Sequence, residues 1–485
     1  MREFLATFET FFNNAIFYYA LFVMGSYVVL TLLSAIEMNG YMKKNSYVNY
    51  REILVSPLAP SVSILAPAYN EEATIIENIR SLLSLHYGNY EVIIINDGSK
   101  DNTFQRMFDY YQLEKVDFAV NYQIQCNEIR GVYKSKLPSF SKLTVVDKVN
   151  GGKSDALNAG INVAGKDLIL CIDVDCIVQE DALLKLAKPY LEEKYQVIAT
   201  GGVVRIANSC KVEDGKLVEV NMPKNLWPRF QVLEYIRAFL MGRMAWSRLN
   251  GLLIISGAMG LFDKNIVIKV GGYDHSTVGE DMELVVRMRR YMYEQDRRFK
   301  VVYIPDPLCW TEAPGDLQIL GRQRNRWTRG TIETLWMHKD LFFNPRYGIL
   351  GMLSYPYWFF FEWLAPIIEF LGISIFILLA LMGNINWEFS LILISMVYFF
   401  SLALSTIAIL FEEMSYQQYT KGGDLVKLLL AAFLEPILYH PLTVYWSIKG
   451  NIHKFIGKNN WGAMTRKGFK EEKKTEEVPQ QTTTI

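Results

Sequence analysis

In LILCIDVDCIV (residues 168–178) an apolar run that reads as a buried strand ends with two carboxylates, Asp173 and Asp175, one residue apart. Acidic side chains that close repel each other unless the strand has ended or a cation lies between them. On an extended chain, side chains at i and i+2 share a face. The pair is thus suited to one hard divalent cation, Mg2+ or Mn2+, which takes oxygen ligands from one or two carboxylates and from substrate phosphates. A DxD at a strand end serves equally well as a turn or helix-capping element.

Three more acidic clusters stand where apolar runs stop. APAYNEEAT places Asn70 and Glu71 after one run, and INDGSKDNT places Asp97 after another, although Asp-Gly-Ser is also an ordinary turn. VGEDMEL brings Glu280 and Asp281 to the head of an amphipathic segment, MELVVRMRRYMYE. There they either favour the helix N-terminus or supply a general base that takes a proton from an attacking hydroxyl. In GRQRNRWTRG (321–330), Gln323, Arg326 and Trp327 form QxxRW. A guanidinium there can neutralise a leaving diphosphate and an indole can stack on a sugar ring. An interfacial aromatic with snorkelling arginines explains the location but not Gln323.

These residues need a scaffold. From about residue 60 to 312 the chain alternates between short Val- and Ile-rich runs and amphipathic stretches. SVSILAP (61–67), EVIIIND (91–97), LILCIDVD (168–175) and VIATGGVVRI (197–206) are predicted strands. EEATIIENIRSLLSL, SDALNAGINVA and DALLKLAKPYL have apolar positions at helical spacing. This alternation predicts an α/β domain with a largely parallel sheet, helices on both faces and ligands at the carboxyl ends of the strands.

Apolar residues, 51% of the 485, are bunched outside that domain. Residues 10–38 carry no charge before Glu37, which is longer than the roughly 20 residues a bilayer requires. The run is too long for a cleavable signal and no clean small-x-small site follows it, so it is expected to be a retained membrane helix. Lys43, Lys44 and Arg51 after it, against Arg2 offset by Glu3 and Glu9 before it, place the following domain in the cytoplasm. Segments 358–383 and 387–410 are two further membrane helices. Glu435, Pro436, His440 and Pro441 interrupt a third, 425–446, which either crosses or lies in the interface. The basic tail favours the second, with the C-terminus cytoplasmic, and EEVPQQTTTI reads as disordered. The expected units are a membrane helix (1–50), a catalytic domain (51–315), QxxRW with interfacial helices (316–357), membrane and interfacial helices (358–450) and a basic tail (451–485).

With 50 basic and 50 acidic residues, the charge balance gives no reason to expect nucleic acid as a partner. The five cysteines have no zinc-ligand spacing, so packed, reduced thiols are expected, with Cys171 and Cys176 bystanders to the chemistry.

YNE, NDGS, NGGKSDALNAG (150–160), DVD, SGAMGLFDKNIVIKVGGYD followed by GED (256–281), and QRNRW occur in this order across roughly residues 60–335. The set resembles the membrane-embedded family 2 inverting glycosyltransferases, the poly-N-acetylglucosamine, hyaluronan and cellulose synthase group. The family's DDG stands here as Asn96-Asp97-Gly98 and its TED as Gly279-Glu280-Asp281, keeping Asp97 and Asp281.

The resemblance implies a GT-A fold, a Rossmann-like mixed sheet, in a cytoplasmic domain embedded between transmembrane and interfacial helices of a multi-pass plasma-membrane protein. It implies that Glu71 and Asp97 bind uracil and ribose with Lys153 nearby, that Asp173 holds the nucleotide, and that Asp175 ligates Mg2+ or Mn2+ on the UDP phosphates. Asp281 would be the base. Ser256, Gly257 and Ala258 would line the acceptor path, and Glu280, Gln323, Arg326 and Trp327 would stand at acceptor and diphosphate. The implied partners are a UDP-sugar, a polysaccharide or glycan acceptor and the bilayer; accessory membrane subunits stay open. The alternative is transfer of a single sugar to a lipid acceptor.

Overall fold

A computed structural model describes residues 2–457 apart from Asn49 and Asp214. Most of the basic tail and EEVPQQTTTI lie outside the described residues. The described strands are β1 (Val62–Ala68), β2 (Tyr90–Asn96), β3 (Leu113–Val116), β4 (Ile129–Ser135), β5 (Leu143–Lys148), β6 (Leu168–Ile172), β7 (Ile177–Val178), β8 (Gln196–Ile206), β9 (Lys211–Glu213), β10 (Lys216–Glu219), β11 (Met259–Asp263) and β12 (Phe299–Thr311). Ten form one sheet in the order β3-β4-β5-β2-β1-β6-β11-β8-β12-β7, and β9 pairs with β10.

The sheet is mixed, not largely parallel. Parallel pairing joins β5-β2-β1-β6 and β8-β12. β11 runs antiparallel between β6 and β8, and β3-β4-β5 are antiparallel. The chain leaves β8 at the rim where the parallel strands end, passes through helical residues 226–248, and re-enters the sheet from that rim as β11. Its leading residues Ser256–Ala258 therefore arrive beside the end of β6, where the Asp173 N–H donates to the Ala258 carbonyl at 3.1 Å.

Val92, Ile93, Ile94 and Ile95 of β2 are fully buried, as a strand covered on both faces requires. Each such side chain contributes about 1.5–3 kcal/mol relative to exposure. Helix Lys153–Val163 is buried along nearly its whole length. Ala156, Ala159 and Gly160 let it lie close to the sheet: a Cβ on Gly160 would stand 3.0 Å from Ile95. Its buried amides are used, Asn158 bonding both the N–H and the carbonyl of Tyr273, and Asn162 holding residues 123–124.

Among the described residues, three helices are long and apolar enough to cross a membrane: Glu9–Asn45, Leu350–Leu381 and Trp387–Ser415. The second starts at Leu350, ahead of the apolar run, and contains π-helical turns at Leu350–Ser354 and Trp358–Trp363. The interrupted segment is two helices, Asp424–Leu438 and His440–Phe455, meeting at 48°. Pro441, which has no N–H to donate, opens the second arm. Its ionisable residues have partners: Glu435 receives Arg237 at 2.9 Å and His440 meets Glu369 at 2.9 Å. The sheet is tied to the ends of these helices. Arg205 at the end of β8 forms a buried ion pair with Glu412, and Asp306 on β12 holds both Tyr41 and Lys185.

Candidate active site

The loops following β1, β2, β5 and β6 share one rim, and each carries a motif. After β1, Asn70 sits in the left-handed region (φ 57°), a conformation asparagine adopts more readily than most residues. Its backbone N–H and side-chain oxygen bond Ser99 and Lys100 of the loop after β2, at 3.1 and 2.8 Å. Glu71 follows, its N–H donating to Thr103 Oγ1 at 2.8 Å and its carboxylate accepting from Thr74.

Asp97 is buried and surrounded by donors. Lys148 Nζ lies 2.7 Å from its Oδ1; the Gly151 and Gly152 N–H groups donate at 3.0 and 2.8 Å, and the Asn150 amide at 3.1 Å. Gly152 (φ 86°) caps helix Lys153–Val163, so Asp97 stands at a helix N-terminus, where negative charge is favoured. Lys148 also pairs with Asp155, and its side chain is completely buried. Nothing in the composition of TVVDKVNGGK distinguishes this lysine from a surface one. A strand assignment for LTVVDK, which would put its last residue level with Asn96 and Asp97, was the missing signal.

Replacing Lys148 with Met leaves two buried carboxylates without their cation. Removing one partner of a buried ion pair costs about 3–5 kcal/mol. Lys148→Met is therefore expected to lower the melting temperature clearly in detergent or nanodiscs, and an unchanged transition would refute this role.

Asp173 and Asp175 do not lie on an extended strand. β6 ends at Ile172 and DVD is a turn, closed by the Cys176 N–H donating to the Asp173 carbonyl at 3.0 Å. The turn relieves the crowding of two carboxylates while keeping them close: ligand atoms of Asp173, Asp175 and Cys176 all lie within 4.8 Å of one another. Two carboxylates are the donor set expected for Mg2+ or Mn2+ with phosphate oxygens. The hydrogen bond to Cys309 and burial hold the Cys176 thiol well above its ordinary range.

Lys153 follows Gly152, whose N–H binds Asp97, and its side chain reaches this turn. Its Nζ lies 2.5 Å from Asp173 Oδ1, 2.9 Å from the Gly257 carbonyl and 4.0 Å from Glu280. Burial alone would lower its pKa, but Asp173, Glu280 and Asp281 hold it above the ordinary lysine value.

Glu280 and Asp281 occupy the first turn of helix Glu280–Glu294; the N-cap is Gly279, so neither acts as the cap. Burial pushes the Glu280 carboxyl up; Lys153 opposes this, Asp281 adds to it and Arg326 opposes it. Asp281 Oδ1 accepts from the Met282 N–H at 2.9 Å, and its Oδ2 faces Gly257, where a Cβ would come within 2.7 Å. The SGA segment thus needs glycine at this point to admit the carboxylate.

One pocket collects Lys153, Cys171, Ser256, Gly257, Glu280 and Asp281. Cys171 is part of the pocket wall. Helix Leu317–Met337 carries QxxRW. Arg326 acts on Glu280 electrostatically, the Gln323 Oε1 is buried without a hydrogen-bond partner, and Trp327 is 40% exposed. Arg324, overlooked in the sequence, stacks on Trp327 at 4.2 Å and bonds Glu234 at 2.6 and 2.7 Å, which fixes the indole. Glu71 and Asp97 on the rim loops, Asp173 and Asp175 of the DVD turn, and Gln323, Arg326 and Trp327 are not in the pocket lining.

The family described as glycosyltransferase like family 2 matches residues 133–330, and glycosyl transferase family 2 matches residues 63–123. Poly-beta-1,6-N-acetyl-D-glucosamine synthase from Staphylococcus epidermidis is 28% identical over 274 residues, covering 56% of this chain and 55% of that protein. The Staphylococcus aureus protein of the same name is 28% identical over 275 residues, with the same coverage. The chain thus spans about half the length of the curated relatives it matches. Among solved structures, a mannosyltransferase from Pyrobaculum calidifontis in complex with GDP-Man and Mn2+ superposes with a TM-score of 0.47 at 15% identity, covering 89% of this chain and 99% of that one.

Proposed function

The chain belongs to the family 2 glycosyltransferases by its domain between residues 63 and 330, and from that premise we propose that it transfers N-acetylglucosamine from UDP-N-acetylglucosamine to a growing β-linked polysaccharide at the plasma membrane. The observation that carries this reading is the single pocket in which Asp281, Lys153 and Gly257 meet beside the DVD turn, under a helix packed against the membrane arm. The resemblance to the staphylococcal synthases supports the choice of sugar.

In this reading the acceptor hydroxyl attacks the anomeric carbon while the bond from that carbon to the diphosphate breaks, inverting the configuration. Asp281 takes the hydroxyl proton. Lys153 and Arg326 supply positive charge on the leaving-group side, the point where fixed charge is most effective. Asp173 and Asp175 would hold a divalent cation, which when bound supplies Lewis-acid stabilisation of the departing UDP. Glu71 and Asp97 shape the nucleoside end, Ser256 lines the acceptor path, and Gln323 and Trp327 hold the acceptor sugar. The catalytic domain is cytoplasmic, and repeated transfer beneath the membrane helices makes synthesis processive and coupled to export.

The test is to incubate membranes with a panel of labelled UDP-sugars and Mg2+ or Mn2+. Consumption of UDP-N-acetylglucosamine, with long chains appearing while most acceptors are still unextended, is the expected result. Single-sugar products or a glycolipid would overturn the polymer reading, and selection of another sugar would overturn the donor.

A further inference from the structure

The backbone that delivers Asp281 is held from outside its own helix. Ahead of Glu280, the Thr277 hydroxyl and the Val278 N–H both donate to Glu333 Oε2, at 3.0 and 2.8 Å, and the Gly279 N–H donates to Thr277 Oγ1 at 3.0 Å. Thr277 and Glu333 are both buried. One turn earlier on the same helix, Gly330 meets Gly279 backbone to backbone: a Cβ on either would come within 2.7 Å of the other's Cα. Loop and helix are therefore in fixed register just before the carboxylate.

A buried carboxylate needs a counter-charge, and Glu333 finds it in Lys454, whose Nζ lies 2.8 Å from Oε1. Lys454 belongs to His440–Phe455, the second arm of the bent pair. That arm packs closely on helix Leu317–Met337, where a Cβ on Gly450 would stand 3.0 Å from Thr328 and one on Gly321 would stand 2.6 Å from Trp446. A continuous line of contacts runs from the last described membrane arm to Thr277–Gly279, the residues that lead into Glu280 and Asp281.

We infer that Glu333 is a positioning residue for Asp281, and that Lys454 on the membrane arm is the cation that lets it act. The chemistry on the acceptor side then depends on that arm being docked. The inference rests on Asp281 being the base, so the experiment separates the two.

Full-length protein in lipid nanodiscs is measured for kcat, KM for the UDP-sugar and UDP affinity as wild type, Glu333→Ala, Lys454→Met, the double variant Glu333→Gln with Lys454→Met, and Asp281→Asn. Misplacement of a reacting group by about 1 Å costs up to about 10²-fold, so Glu333→Ala should lose between tenfold and that in kcat with KM and UDP affinity unchanged. Lys454→Met, which strands the buried charge, should also lose kcat. The double variant keeps an acceptor for Thr277 and Val278 and buries no charge, so it should recover most of the loss. It also carries the test if Glu333→Ala does not fold. Wild-type kcat in Glu333→Ala, a parallel loss of UDP affinity, or no recovery in the double variant would each overturn the inference. Turnover in Asp281→Asn would remove the base assignment instead, whereas inactive Asp281→Asn beside fully active Glu333→Ala would spare the base and remove only the positioning role.

Discussion

Asp281→Asn is expected to lose about 10²- to 10⁴-fold in kcat, the range typical for removing a general base, while binding UDP as the wild type does. The substitution is nearly isosteric. The amide oxygen still accepts from the Met282 N–H and the similarly sized amide nitrogen takes the Oδ2 place against Gly257, so neither helix nor pocket should shift. What changes is the ability to take a proton from the acceptor hydroxyl. Isothermal titration with UDP alongside a turnover assay separates the two properties, and retained turnover would sink the assignment. Glu280 lies deeper in the protein and faces Lys153, 4.0 Å away.

The second large effect is on the diphosphate side. Asp175→Ala removes one of the two carboxylates gathered by the DVD turn, leaving Asp173, which already pairs with Lys153. Losing one preorganised electrostatic group of this kind costs about 10²- to 10³-fold in kcat. Chelation with EDTA should stop transfer by the wild type, and Mg2+ or Mn2+ should restore it. The same titration should strengthen UDP binding by the wild type but not by Asp175→Ala. UDP affinity that is indifferent to both the ion and the substitution would mean that the turn serves structure alone.

How much of this was legible in the sequence follows from the physics of each element. β1, β2, β6 and β8 are covered on both faces, and a strand covered that way must be an unbroken apolar run, which is visible in one dimension. β3, LEKV, buries only its first residue, so its pairing with β4 leaves no comparable trace. β11 was in view only as a motif, because its direction depends on where the preceding helical stretch returns the chain. YNE, NDGS and DVD stand on loops of one rim, while GED and QxxRW lie on helices. Two details of that rim were not readable. An extended chain and a turn can both bring Asp173 and Asp175 together, and the sequence does not say which. Lys148 and Glu333 act through partners 51 and 55 residues away, at Asp97 and Val278, and no local pattern marks a charge that will be buried. Composition also put a boundary near residue 315 and another before the membrane helices, as if the parts were modules.

The buried pair of Arg205 and Glu412 bears on that last point. Arg205 ends a strand of the catalytic sheet, and Glu412 lies near the end of a helix suited to the bilayer. Each is almost wholly withdrawn from water, so separating the two parts would strand an ion on each side. The catalytic half is thus not a passenger carried by its anchor. The half that carries the apolar helices completes the charge balance of the sheet, and the two belong to a single thermodynamic unit.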